Sequence, residues 1–370
     1  MQKCATREGT AHYRDRFKNI LSQDHFNNSQ NLFMSSIGFG SYLGKHDDAT
    51  DLAYADSLIR AIEFGCNFID TAINYRFQRS ERAIGAALKT LFQDEKFSRD
   101  ELVIATKGGY IPFDGAPPRD LRKYFIETFI QTGIATPEDI VSGIHCMTPR
   151  YIENQIESSL KNLGIECIDI YYIHNPEEQF REVSRDEFNK RIRGVYELLE
   201  KKVAEGKIGV YGVATWNGLR QEVKTKGYLS IEELFKIARV VGGDGHHFRV
   251  IQLPFNLAMP EALVTRNQIL DGEELTILEA ANNLGITVVA SSSLLQNQLS
   301  RDLPDFLSKY LKDLKTDAQL AIQFVRSVPG ITSALVGMST IKHVEENMGV
   351  ASIPRATLED LQNLFKYSEK

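Results

Sequence analysis

The chain has 370 residues, 42% of them hydrophobic and 25% charged, with a formal net charge of −6. That is globular composition, with enough chain for one large domain. The acidic balance argues against a nucleic-acid partner, and no stretch approaches the ~20 apolar residues of a membrane span.

Residues 1–35 are polar and precede the first strand-like run. Their opening, MQKCATREGTAHYRDRFKN, lacks an apolar centre and does not read as a secretory signal. From there, short β-branched runs alternate with segments of helical period. The first run, SSIGFGS, leads into KHDDATD rather than into an immediate helix, so a Gly-rich dinucleotide-binding turn is not formed. The second, NFIDTA, precedes SERAIGAALKTLF, in which Ile84, Leu88 and Leu91 share a helical face. The third, LVIATKGG, opens a long segment from Gly109 to Cys146, where RDLRKYFIETFIQTG predicts a short amphipathic helix. Next, TPRYIENQIESSLKNLG places Ile152, Ile156, Leu160 and Leu163 on one face. Thr148 is its N-cap, Pro149 stands in the first turn and Gly164 ends it. The fourth run, IDIYYIHNP, is followed by a loop from Pro176 to about Arg191. The fifth, sixth and seventh are IGVYGVATW, RVIQLPFN and ITVVASSS, the last followed by a loop from Leu295 to about Thr316. TDAQLAIQFVRSVPG then carries Leu320, Phe324 and Val328 before the eighth run, SALVGMS.

Strict alternation implies βα units and a parallel sheet, and eight units favour closure into an α/β (β/α)₈ TIM barrel. The expected organisation is an N-terminal extension, residues 1–35, and a single barrel domain, residues 36–370, with long loops on its C-terminal face. The extension has the floor of the barrel as one place to lie. The four cysteines, Cys4, Cys66, Cys146 and Cys167, stand at no metal-ligand spacing. Cys66 and Cys167 read as small core residues, and the expectation is a cytoplasmic protein with reduced thiols and no metal.

In such a barrel, functional groups gather at the C-terminal ends of the strands. Asp70 ends the second run, with Tyr75 in the loop beyond; Lys107 ends the third and His174 the fourth. Singly, each is an ordinary strand-end cap, loop residue or rim histidine. Three consecutive strands, however, bring them to one mouth. A lysine ammonium beside a tyrosine favours the phenolate and lowers the phenol's pKa, and a carboxylate holds that ammonium in place. Tyr75 then becomes a general acid, Asp70 and Lys107 tune it, and a neutral His174 orients a carbonyl oxygen. No side chain donates hydride, so a cofactor is implied.

These residues resemble the aldo/keto reductase superfamily. FIDTAINY…SERAIGAAL supplies the acid–tyrosine pair Asp70 and Tyr75, VIATKGG the lysine Lys107, and IDIYYIHNP the histidine His174. The resemblance runs from about Ser36 to about Val350. It implies a nicotinamide-dependent carbonyl reductase with its cofactor extended across the barrel mouth. It also implies cofactor contacts at Gly40, Ser41, Asp70, Thr215, Gln252, Ser291, Ser292 and Leu294. In VGMSTIKHVEENM it implies an adenosine-phosphate segment made by Gly337, Met338, Ser339, Thr340, His343, Glu346 and Asn347.

The sequence departs from the family pattern in three respects. Ala214-Thr215 stands where the family often has Ser-Asn against the carboxamide. Ser291 stands where many members stack an aromatic ring on the nicotinamide. Gly337 and His343 stand where NADPH-specific members carry Lys or Arg. NADP(H) is expected ahead of NAD(H), with use of both left open. The expected substrate is a small carbonyl compound or alcohol, and the expected assembly a monomer or small homo-oligomer. Trp216 borders the cofactor or serves as a loop anchor, and His145 is a candidate to face substrate. The alternative on the same barrel is a redox-sensing regulatory protein with slow or no turnover, since the family includes potassium-channel β subunits. A Schiff-base lyase using Lys107 is disfavoured, because Asp70 would raise that amine's pKa.

Overall fold

The computed structural model describes residues 3–368. The eight runs form strands β1 (Ile37–Gly40), β2 (Phe68–Asp70), β3 (Val103–Gly108), β4 (Ile168–His174), β5 (Ile208–Ala214), β6 (Phe248–Pro254), β7 (Thr287–Ser291) and β8 (Ile331–Gly337). They pair in parallel in chain order, and β8 pairs with β1, closing the barrel. Eight helices alternate with them: α1 (Asp48–Glu63), α2 (Arg79–Gln93), α3 (Pro149–Leu163), α4 (Arg185–Ala204), α5 (Ile231–Gly242), α6 (Ile277–Asn283), α7 (Asp317–Ser327) and α8 (Ile341–Met348). The apolar faces expected for α2 and α3 are buried against the barrel. Gly164 ends α3 at φ 66°, a left-handed cap that favours glycine. Among the described residues, no helix is long and apolar enough to cross a membrane.

The strand period of two decides what faces the barrel interior. Phe68, Ala105, Tyr172, Val250, Val289 and Leu335 form one buried cluster inside the barrel. Two residues further along the same strands, and so on the same face, come Asp70, Lys107, His174, Gln252, Ser291 and Gly337. The interior layer is therefore apolar, and the layer above it, at the C-terminal rim, holds polar or small residues.

The N-terminal segment is ordered into a helix, Arg7–Arg16, and an antiparallel hairpin of Phe26–Ser29 with Leu32–Ser35. The hairpin lies across the opposite end of the barrel. Asn27 Nδ2 donates to Thr332 O at 2.5 Å, and Ser29 Oγ lies 2.5 Å from Thr287 Oγ1. Asn67, just before β2, accepts from Ser35 N at 2.9 Å and donates to Phe33 O at 2.8 Å and Glu101 O at 3.2 Å. Met34 caps the interior cluster from below.

Several expectations need correction. Cys4 and Cys167 form a disulfide, so the reading of Cys167 as a free core thiol fails; Cys66 and Cys146 are free and buried. The two partners lie 163 residues apart, so no local spacing betrays the bridge. The neighbouring Asp169 accepts from Ala5 N at 2.6 Å and from Arg99 Nη2 and Ile104 N at 2.7 Å. The loop after β4 is shorter than expected, because Ser184 caps α4 from Arg185 onward. A hairpin of Arg266–Leu270 with Glu273–Thr276 separates β6 from α6. Its Asp271-Gly272 turn has φ of 50° and 85°, the Asp-Gly hairpin signal that the sequence reading passed over. In the long third loop, the expected helix forms as Leu121–Phe125 and continues as one π turn, Ile126–Ile130.

Asn67 is fully buried and satisfies three backbone groups that join the floor hairpin to the barrel. Asn67→Ala removes the partner of those three buried groups. It should cost roughly 1–3 kcal/mol in urea denaturation, with the barrel's far-UV circular dichroism unchanged.

Candidate active site

Asp70 ends β2 and Lys107 lies near the end of β3, with 4% and 1% of their surface exposed. Asp70 pairs across the sheet with Ala105, so Lys107, two residues beyond, rises above it on the same face. Lys107 Nζ donates to Asp70 Oδ1 at 2.5 Å and to Thr71 O at 2.7 Å. Gln252, from β6, donates to Asp70 Oδ2 at 2.8 Å. The carboxylate is thus held from two sides of the barrel.

Tyr75 packs over this pair. Lys107 Nζ lies 4.9 Å from the centroid of its ring. His174, at the end of β4, meets the same ring edge-on at 5.8 Å. Tyr42 lies 4.9 Å from Tyr75, and Tyr110 lies 5.0 Å from His174. His174 Nδ1 is buried without a hydrogen-bond partner. Its backbone carbonyl accepts from His145 Nε2 at 2.7 Å, and His145 Nδ1 in turn lies 2.8 Å from Gln179 Nε2. His145 is therefore buried behind His174 rather than turned toward substrate.

Burial dominates the electrostatics of these groups. It pushes the Asp70 carboxyl up, opposed by the Lys107 charge and by the hydrogen bonds from Lys107 and Gln252. It pushes the Lys107 ammonium down, opposed by Asp70. The His174 imidazole is held well below its ordinary value by burial, Lys107 and His145, and is neutral. Tyr75 departs from expectation. Its phenol is raised well above the ordinary tyrosine value by burial, then by Asp70, Tyr42 and Tyr110. The Lys107 charge that was expected to lower it is engaged by Asp70, and the carboxylate acts on Tyr75 in the opposite sense. Tyr75 therefore holds its proton at rest.

A cavity of about 780 Å³ opens above these groups. Of the residues implied by sequence, Gly40, Ser41, Asp70, Tyr75, His174, Thr215, Gln252, Ser291, Ser292, Leu294, Gly337, Ser339, His343, Glu346 and Asn347 line it. Lys107 lies beneath, behind Asp70. Met338 is fully buried, and Thr340 caps α8 by accepting from His343 N at 3.3 Å; neither lines the cavity. Trp216 lines it and is 39% exposed, with its backbone N–H donating to Glu177 Oε1 at 2.9 Å. Sequence reasoning missed Tyr42, Asn74 and Asn175 as lining residues, although each lies inside a quoted strand-end stretch or immediately beside one.

The lining fits a nicotinamide dinucleotide. Thr215 Oγ1 is buried without a partner in a residue only 4% exposed, at the position matched to the carboxamide contact. Gly337 leaves open space where any other residue would carry a side chain. With Ser291 at the end of β7, the aromatic rings that line the cavity are Tyr42, Tyr54, Tyr75, Tyr110 and Trp216 instead. None of the lining residues is Lys or Arg.

A sequence profile of the aldo/keto reductase family matches residues 36–366. The chain is 30% identical over 182 residues to the aldo-keto reductase yakc, named for NADP(+), of Schizosaccharomyces pombe; the match spans 48% of this chain and 42% of that protein. It is 22% identical over 350 residues to the uncharacterized oxidoreductase YqkF of Bacillus subtilis, spanning 92% of this chain and 95% of that one. Among solved structures, it is similar to an aldo/keto reductase from Klebsiella pneumoniae in complex with NADP and acetate. The TM-score is 0.59 at 21% identity, over 94% of this chain and 95% of that one.

The buried pair yields a stability test. Lys107→Met leaves Asp70 without its counter-charge and should destabilise the barrel by roughly 3–5 kcal/mol in chemical denaturation. The double variant Lys107→Met/Asp70→Asn, with no buried charge left, should recover part of that loss.

Proposed function

Because the chain belongs to the aldo/keto reductase family, we propose that it is an NAD(P)H-dependent carbonyl reductase with Tyr75 as the proton donor. The observation that carries this reading is the packing of Tyr75 against His174 above the Lys107–Asp70 pair. The nicotinamide, when bound, supplies the hydride. The protein's part is to hold the carbonyl oxygen and to deliver a proton to it. His174, neutral, offers an N–H that orients the oxygen without competing as an acid. Tyr75 gives its proton as negative charge develops on that oxygen. The Lys107 ammonium below the ring stabilises the phenolate left behind, and Asp70 keeps the ammonium charged and in place. In the direction of alcohol oxidation the same groups run in reverse.

Tyr42, Tyr110 and Trp216 with Asn74 and Asn175 line the cavity near Tyr75 and His174, and no Lys or Arg joins them. Aromatic rings and neutral amides suit a small uncharged carbonyl compound better than a carboxylate. Among the lining residues, Gly337 and His343 stand where NADPH-specific members of the family carry Lys or Arg, and Glu346 adds negative charge. The expected NADP preference therefore has little electrostatic support, and the site reads as accepting both cofactors.

Tyr75→Phe should lower kcat on a panel of aldehydes by about 10²–10⁴-fold with cofactor affinity retained. A variant as fast as the parent would remove Tyr75 from the chemistry. Because the phenol is raised rather than lowered, it stays protonated through neutrality. The reduction rate should hold flat to about pH 9, a unit below the ordinary tyrosine value near 10; a decline beginning near pH 7 would show that Lys107 controls the phenol after all. Titration of Trp216 emission should give dissociation constants for NADH and NADPH within about tenfold of each other, or ~1.4 kcal/mol. A hundredfold advantage for NADPH would reveal a cation at the phosphate.

A further inference from the structure

Two runs of left-handed backbone border the cavity, one at Leu295, Gln296 and Asn297 and one immediately after Tyr75. Arg76, Phe77 and Gln78 have φ of 48°, 60° and 70°, three successive non-glycine residues in the left-handed region. Side chains are disfavoured there because Cβ crowds the following carbonyl oxygen. A run of three persists only where its surroundings hold it.

Each residue of this turn is gripped separately. Phe77 meets His46 at 5.1 Å and Phe113 at 5.8 Å between ring centroids, and its carbonyl accepts from Gly115 N at 2.9 Å. Gln78 Nε2 donates to Phe113 O at 3.0 Å, and its Oε1 accepts from Asn162 at 3.1 Å. Arg76 is gripped hardest, with its side chain only 2% exposed. Its Nε donates to Lys45 O at 2.8 Å, its Nη2 pairs with Asp51, and its guanidinium lies 5.1 Å from the centroid of Tyr54. Tyr54 OH donates to Leu43 O at 2.6 Å, in the same first βα loop that carries Tyr42 against Tyr75.

We propose that Arg76 is a positioning residue for Tyr75. Its planar fork ties the residue next to Tyr75 to the loop after β1 and to α1, and so fixes the height and tilt of the phenol over Lys107. A lysine could reach Asp51 but could not make the second, angularly fixed contact to Lys45 O. The role is indirect, since Arg76 does not line the cavity. The proposal rests on the reading of Tyr75 as the proton donor, and it predicts an effect on turnover rather than on binding.

Asparagine tolerates left-handed backbone, so Arg76→Asn removes the guanidinium without forcing the turn open. It should lower kcat by about 10–100-fold, the cost of misplacing a catalytic group by a fraction of an ångström to an ångström. KM for the carbonyl and the dissociation constant for NADPH should stay within about threefold, and the melting temperature should change little. Arg76→Lys should recover part of kcat. Asp51→Asn, which also weakens the Asp51–Arg79 pair, should reproduce part of the loss. Wild-type kcat in Arg76→Asn overturns the proposal. So does a parallel fall of kcat, affinity and melting temperature without rescue by lysine. A second readout needs no turnover. In protein labelled with ¹³C in its tyrosine rings, the Tyr75 resonance, assigned through Tyr75→Phe, should be single in the parent and broadened or shifted in Arg76→Asn. If the parent reduces no carbonyl, the functional reading fails and this resonance alone decides the positioning claim, an unchanged signal overturning it.

Discussion

The site is organised around a lysine and an aspartate buried together at the mouth of the barrel. Removing two charges from water costs more than a single contact returns, so such a pair persists only when every remaining donor and acceptor is satisfied. Here Lys107 also reaches Thr71 O, and Asp70 also accepts from Gln252. Those partners come from β2, the segment just beyond it, β3 and β6, on widely separated parts of the barrel wall. The pair thus depends on closure of the sheet, and the chemistry above it depends on the pair. Burial and the Asp70 carboxylate keep the proton on Tyr75, and burial with the Lys107 charge keeps His174 neutral.

Closure alone does not set this layer; register does. In each contributing strand, an apolar interior residue is followed two positions later by a polar or small one. Phe68 precedes Asp70, Ala105 precedes Lys107, Tyr172 precedes His174 and Val250 precedes Gln252. A slip of one residue in any strand would turn its functional group outward toward the helices. The floor hairpin bears on the same register from the other end, since Asn67 is bonded to Ser35 and lies three residues before Asp70. Floor and rim are linked through β2, only three residues long.

That periodicity is why so much could be read from the sequence. Eight runs with polar endings identify the strands, and the convergence of Asp70, Lys107 and His174 follows once they are arranged in a barrel. What sequence left out depends on distance or on burial. The Cys4–Cys167 bridge joins segments that no pattern connects. Met338 and Thr340 share a motif with residues that line the cavity, but one turns into the core and the other closes a helix end. The direction of the Tyr75 shift was misjudged because spacing reveals neighbours and not desolvation. The left-handed turn after Tyr75 was invisible because none of its three residues is a glycine.

The reluctance of Tyr75 to ionise is consistent with its part in the reaction rather than opposed to it. A phenol made strongly acidic by an unpaired lysine would lose its proton to solvent before a substrate arrived. Burial and the Asp70 carboxylate keep that proton on the ring. In the proposed reaction, a base strong enough to take it appears inside the cavity only when a substrate oxygen gains negative charge against His174. The phenolate left behind would have its ring centroid 4.9 Å from Lys107 Nζ, in a medium where that attraction is weakly screened. The same burial that raises the resting pKa therefore strengthens the interaction that stabilises the product of proton transfer. That interaction holds only while the ring stays fixed over the ammonium, which is the role proposed for the clamped turn at Arg76.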